Sequence, residues 1–99
     1  ALPVAAVPDL TLAFDNHALP WHTSVIVSGP DQPGALLAVS TAFARAKLVV
    51  HTARVASRGA SIDDRFTVTD RLGHKLTDAS MHVVQQYLAG EKTPRWPRR

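Results

Sequence analysis

The chain has 99 residues, 45% of them hydrophobic and 19% charged, and no cysteine. That is the length of one domain, and it excludes disulfide staples, thiolate metal sites and cysteine nucleophiles, pointing to a reducing, cytoplasmic setting. The net charge of +3 belongs to the last nine residues, where four basic groups meet one acid, while the other ninety balance at seven of each.

Residues 1–9 read as a linker. Small residues and two prolines replace any periodicity, and no positive n-region marks a signal peptide. No apolar run approaches the ~20 residues that cross a bilayer, so no membrane contact is expected. The missing initiator Met suggests a segment of a longer chain.

Leu10, Leu12 and Phe14 alternate with polar or small residues, the period of a half-buried strand. Asp15 to Pro20 supplies turn formers. Trp21 to Ser28, with Val25-Ile26-Val27 at its centre, predicts a second strand. Gly29 to Gly34 is dense in glycine and proline and ends it. Gly34 to Ala46 predicts a helix with Leu36, Val39, Phe43 and Ala46 on one face. Pro33 suits its first turn, and Asp31 or Gln32 is expected near the cap, Asp being the better cap by chemistry.

Leu48 to Ser57 is rich in β-branched residues and predicts one strand. Ile62 to Thr69 predicts the next, with Ile62, Phe66 and Val68 facing one way. Thr77 or Asp78 caps a final helix that runs to about Ala89, with Met81, Val84 and Leu88 as its stripe and Gly90 as its stop. The order is ββαββα. A right-handed crossover and the short turn after residue 15 place strand 10–15 beside strand 21–28, at the edge where a last strand would lie in a ferredoxin-like sheet. The expected fold is α+β, a four-stranded antiparallel sheet with two helices on one face. The domain spans 10–90, followed by a basic tail over 91–99.

Five histidines, at 17, 22, 51, 74 and 82, lack metal-ligand spacing, so no metal site is expected. Asp63 and Asp64 are strand neighbours and point to opposite faces, which disfavours a catalytic dyad. Asp63 should face solvent, and Asp64, on the side of Phe66, should meet an Arg. No catalytic residue emerges. An RNA-binding sheet would carry outward aromatics, but the outward positions hold Ser24, Ile26, Ser28, Asp63, Arg65 and Thr67, so no nucleic-acid partner is expected.

The segment Asp31-Gln32-Pro33-Gly34-Ala35-Leu36-Leu37 joins a strand to a helix start. First-turn N–H groups and the helix dipole favour a carboxylate or phosphate there. Gly34, without a Cβ, would let a ligand approach the backbone. Equally, Pro-Gly makes a corner and nothing more.

This D-x-P-G-x-L-L run, then His51-Thr52-Ala53-Arg54-Val55, then Asp64-Arg65-Phe66-Thr67-Val68-Thr69-Asp70 with Gly73, Lys75 and Leu76, resembles an ACT domain. The pattern over residues 10–90 is closest to the C-terminal ACT domain of the bifunctional PII uridylyltransferase/uridylyl-removing enzymes, the nitrogen sensors. Lys47 departs from it, standing where the family has glycine. The resemblance implies a regulatory segment without its own cofactor. Upstream catalytic domains would use Mg and act on the PII protein. L-glutamine or another amino acid would be the effector, and a second ACT domain, from the same chain or a homodimer, the structural partner. The ligand would meet Asp31, Gln32, Gly34, Ala35 and Leu36 at the corner, with Val49 and His51 nearby on the following strand. A dimerisation module without ligand, or an ACT domain of another amino-acid-regulated enzyme, is the alternative.

Overall fold

The computed structural model describes residues 10–89. The expected linker over 1–9, the tail over 91–99 and the stop at Gly90 lie outside them. Seven elements follow in order: β1 (Thr11–Asp15), β2 (Thr23–Pro30), α1 (Ala35–Arg45), β3 (Val49–Arg54), β4 (Ser57–Arg58), β5 (Ser61–Thr69) and α2 (Asp78–Leu88). The sheet order is β1-β2-β5-β3, with β4 also on β5, and every pairing is antiparallel. Strand β1 takes the edge beside β2, with Leu12 opposite Val27 and Phe14 opposite Val25. The α+β layout is the one the sequence predicts.

The predicted strand over 48–57 is in two pieces. The break falls at Val55–Ala56, where the Asp64 carboxylate accepts the Ala56 N–H at 3.0 Å. A side chain there takes a donor the ladder would otherwise use. Among the described residues Asp64 meets no Arg, and its partner is backbone instead.

One sheet face carries the core. Val25, Val27, Ile62, Phe66 and Val68 alternate inward and meet Ala35, Ala38, Val39, Ala42 and Phe43 of α1 with Val84 and Leu88 of α2. Phe43 and Phe66 pack edge to face at 5.3 Å. Val39, Phe43 and Ala46 of the predicted α1 stripe face the core, but its first member differs: Ala35 is buried and Leu36 is 44% exposed. The buried stripe is mostly alanine, and the close backbone approaches of α1 are chiefly to α2.

The helix ends are chemically distinct. Thr77 caps α2, accepting the Ser80 N–H at 3.2 Å. At the far end of α1, Lys47 adopts φ +63°. Its N–H donates to the Ala44 carbonyl and that of Leu48 to the Phe43 carbonyl, both at 3.0 Å, a Schellman closure. The left-handed position there explains why the related pattern has glycine. Across the sheet, the fully buried Thr23 hydroxyl donates to the Asn16 side chain and accepts the Leu76 N–H at 2.9 Å. This ties both loops at that end to β2.

Candidate functional site

The corner after β2 is built by Pro33 and Gly34. Ala35 N–H donates to the Gln32 carbonyl at 3.2 Å, and Gly34 sits at φ 80°, ψ 1°. These are the marks of a type II turn with proline second and glycine third. Gly34 is also the cap residue of α1, and no side chain among the described residues caps that helix. Asp31 is thus not the cap the sequence predicts. Its backbone N–H instead donates to the Ala60 carbonyl at 2.7 Å, fastening the corner to the β4–β5 turn. The intervening type II turn holds Asp31 one turn too early to reach the helix.

Ala38 N–H makes the first helical bond, to the Gly34 carbonyl at 2.8 Å. The N–H groups of Leu36 and Leu37 therefore have no backbone acceptor among the described residues. No acidic side chain stands in that first turn to offset the dipole. A Cβ built on Gly34 would meet nothing within 4 Å. The glycine answers a backbone requirement, and open space lies above it. Asp31 and Gly34 are exposed, Gln32 half-buried and Ala35 buried.

Val49 and His51 are not part of this corner within one chain. Val49 lies opposite Thr69, whereas the corner follows Pro30, which lies opposite Ser61. Eight residue steps along β5 separate the two ends, roughly 26 Å. The reason is the crossover: α1 runs back along the sheet, so β3 begins at the same end of the sheet as β2, across β5 from it. The sequence expectation of two nearby halves fails on that reversal.

His51 has a structural commitment of its own. Thr69 donates its hydroxyl proton to the Asp70 carbonyl at 2.9 Å, so its oxygen must accept from His51 Nε2–H at 2.8 Å. The His22 and His51 rings meet edge to face at 4.6 Å. The β3–β5 register shifts between Val50 and Thr52, making His51 the bulged residue. That shift sets Arg54 opposite Arg65, a pairing no residue pattern announces.

Asp63 lies on the open sheet face and Asp64 is buried among the core side chains, so the two carboxylates do not converge. No cluster of three metal-ligating side chains occurs among the described residues. Asp70 titrates below the ordinary carboxylate range, chiefly because its carboxylate accepts the His74 N–H, with the Leu72 N–H assisting. No helix of the described residues is long and apolar enough to cross a membrane.

Comparison with known proteins places these features. The ACT domain model matches residues 23–81. The bifunctional uridylyltransferase/uridylyl-removing enzyme of Novosphingobium aromaticivorans is 38% identical over 76 residues, 76% of this chain and 8% of that protein. The enzyme of the same description from Bradyrhizobium diazoefficiens is 32% identical over 97 residues, 93% of this chain and 10% of its own length. The ACT domain-containing protein ACR1 of Arabidopsis thaliana is 35% identical over 83 residues, 83% of this chain and 17% of its own. This chain therefore spans a small fraction of each relative's length. No solved structure matches it. The match over 59 of 99 residues and the ββαββα layout agree: the chain belongs to the ACT domain family.

Proposed function

We propose that this ACT domain is the glutamine-responsive module of an enzyme that attaches and removes a nucleotidyl group on the PII protein in cytoplasmic nitrogen control. The carrying observation is the corner's unspent chemistry. The Asp31 carboxylate is not used as a cap, and the Leu36 and Leu37 N–H groups have no backbone acceptor among the described residues. The carboxylate of an amino acid suits those N–H groups, and its ammonium suits Asp31. Relatives named for two opposed activities, transfer and removal, supply the reason to bias one against the other. Transfer and removal themselves, with their Mg, belong to catalytic domains elsewhere in the parent chain.

A second ACT domain is part of this reading. All six residues of β3 are exposed and the strand is a sheet edge, with Val49 and Val50 exposed in it and Val55 just past its end. Such an edge invites pairing. Val49 and His51 can serve an amino acid at the corner only from that second domain. Calorimetric titration with L-glutamine tests the site: saturable heat from the wild-type chain, lost in Asp31→Ser, supports it, and no heat with either refutes it. The same exposed edge favours a second reading, a dimerisation module without ligand. Sedimentation that shows a dimer indifferent to glutamine would select it.

A further inference from the structure

We infer that the open face of the sheet, away from both helices, binds the phosphoryl group of a small phosphate monoester between Arg54 and Arg65. The two arginines lie directly opposite each other on β3 and β5. Like charges so placed oppose sheet formation. The His51 bulge creates this arrangement. Without the extra residue the register would continue from Val50–Val68 to set Arg54 opposite Asp64, on the helix side and beside a carboxylate. The chain instead turns Arg54 to the open face against a second cation.

Arg54 and Arg65 line a depression of about 410 Å³ together with Ser24, Thr52 and Thr67. That volume falls in the range of small-molecule sites and exceeds what a bare phosphate needs. Its hydroxyls have donors to give. Thr52 Oγ1 and Thr67 Oγ1 lie 2.7 Å apart and share one proton, leaving the other hydroxyl's proton available. Two forked cations with a neutral donor in the adjoining row of the same face match a doubly charged tetrahedral oxyanion better than a carboxylate.

Asp63 offsets only one of the two charges. Asp63 approaches Arg65 at 3.9 Å, beyond hydrogen-bond distance, and Arg65 is 56% exposed. Arg54 makes no ion pair among the described residues. The site also differs from the amino-acid corner, which lies past the Pro30 end of β2, so the two stand or fall separately.

The test is titration of the 99-residue chain with inorganic phosphate and with glycerol 3-phosphate, followed by amide chemical shifts. Sodium chloride at matched ionic strength is the control. Saturable shifts at Thr52–Arg54 and Arg65–Thr67, absent in chloride, are expected. Arg54→Gln and Arg65→Gln should each weaken binding about tenfold, the loss of one charge-assisted hydrogen-bonding partner. Arg71→Gln, in the turn beyond β5, should leave it unchanged. In chloride alone, Arg54→Gln should hold or raise the melting temperature by removing the like-charge pair, which shows the variant folded. Shifts that do not saturate, that appear equally in chloride, or that survive in the double variant overturn the proposal.

Discussion

The buried carboxylate of Asp64 accepts the N–H of Ala56, eight residues earlier in the chain, at 3.0 Å. Asp63 N–H donates to the Ala56 carbonyl at the same distance. Ala56 is thus held by both of its backbone groups at the point where the edge of the sheet breaks. Asp64→Ala would remove this charge-assisted hydrogen bond and leave the N–H of the exposed Ala56 to water, at a cost of about 1–3 kcal/mol. Asp64→Asn keeps an acceptor and should restore most of that. Urea unfolding of the two variants measures the difference.

Lys47 occupies a left-handed position at the end of α1, with φ +63°. An L side chain pays roughly 1 kcal/mol or more there relative to glycine. Both Schellman bonds use backbone and would survive the change. Lys47→Gly is therefore expected to stabilise the domain by about 1 kcal/mol, less what a freer unfolded chain takes back. Thermal unfolding at matched pH checks it. A loss of stability would mean that the lysine side chain contributes more than its backbone strain.

Asp70 organises the turn after β5, accepting the Leu72 N–H at 2.9 Å and the His74 N–H at 2.8 Å. Its carboxyl is held below the ordinary carboxylate range, first by the His74 hydrogen bond. A depressed folded pKa gives stability that is present above the unfolded value and lost as pH falls through the folded one. The gap between wild type and Asp70→Ala should therefore be full at neutral pH and close in acid, below the ordinary carboxylate range. Melting temperatures of both chains at pH 7 and pH 2.5 would show it, and a gap unchanged at pH 2.5 would refute it.

Much of the layout is legible in the residues. Alternation marks β1, β2 and β5, and the short turn after Asp15 fixes β1 at its edge. Thr77 is recognisable as a cap because its side chain acts within its own turn. What the residue pattern misreads depends on contacts distant in sequence. The split of the edge strand depends on Asp64, and the His51 bulge on pairing with Thr67 and Val68. Leu36 is a better hydrophobe than Ala35, yet Ala35 is the buried one, because the direction in which α1 docks on the core decides which face is covered. The corner is legible as a turn. Its separation from Val49 and His51 follows from where the crossover returns the chain, which no local pattern encodes.

The corner yields the sharpest contrast between fold and function. Were Asp31 a cap, its removal would cost about 1 kcal/mol, as Thr77→Ala should in α2. Asp31 gives the structure its backbone N–H, bonded to Ala60, and its carboxylate caps nothing. Asp31→Ala and Asp31→Ser should therefore both stay within about 0.5 kcal/mol of wild type. Gly34 behaves oppositely. Its φ of +80° strains any replacement, although the space above it is open. Gly34→Ala should cost roughly 1–2 kcal/mol from the backbone alone. If an amino acid binds here, both Asp31 variants lose glutamine binding with their stability intact, because the ammonium loses its counter-charge. Gly34→Ala would weaken binding and fold together, so it does not discriminate. Urea unfolding beside calorimetric titration of the same samples separates the cases. Asp31 variants that fold normally and bind glutamine as wild type does would remove Asp31 from the site and leave the corner a turn.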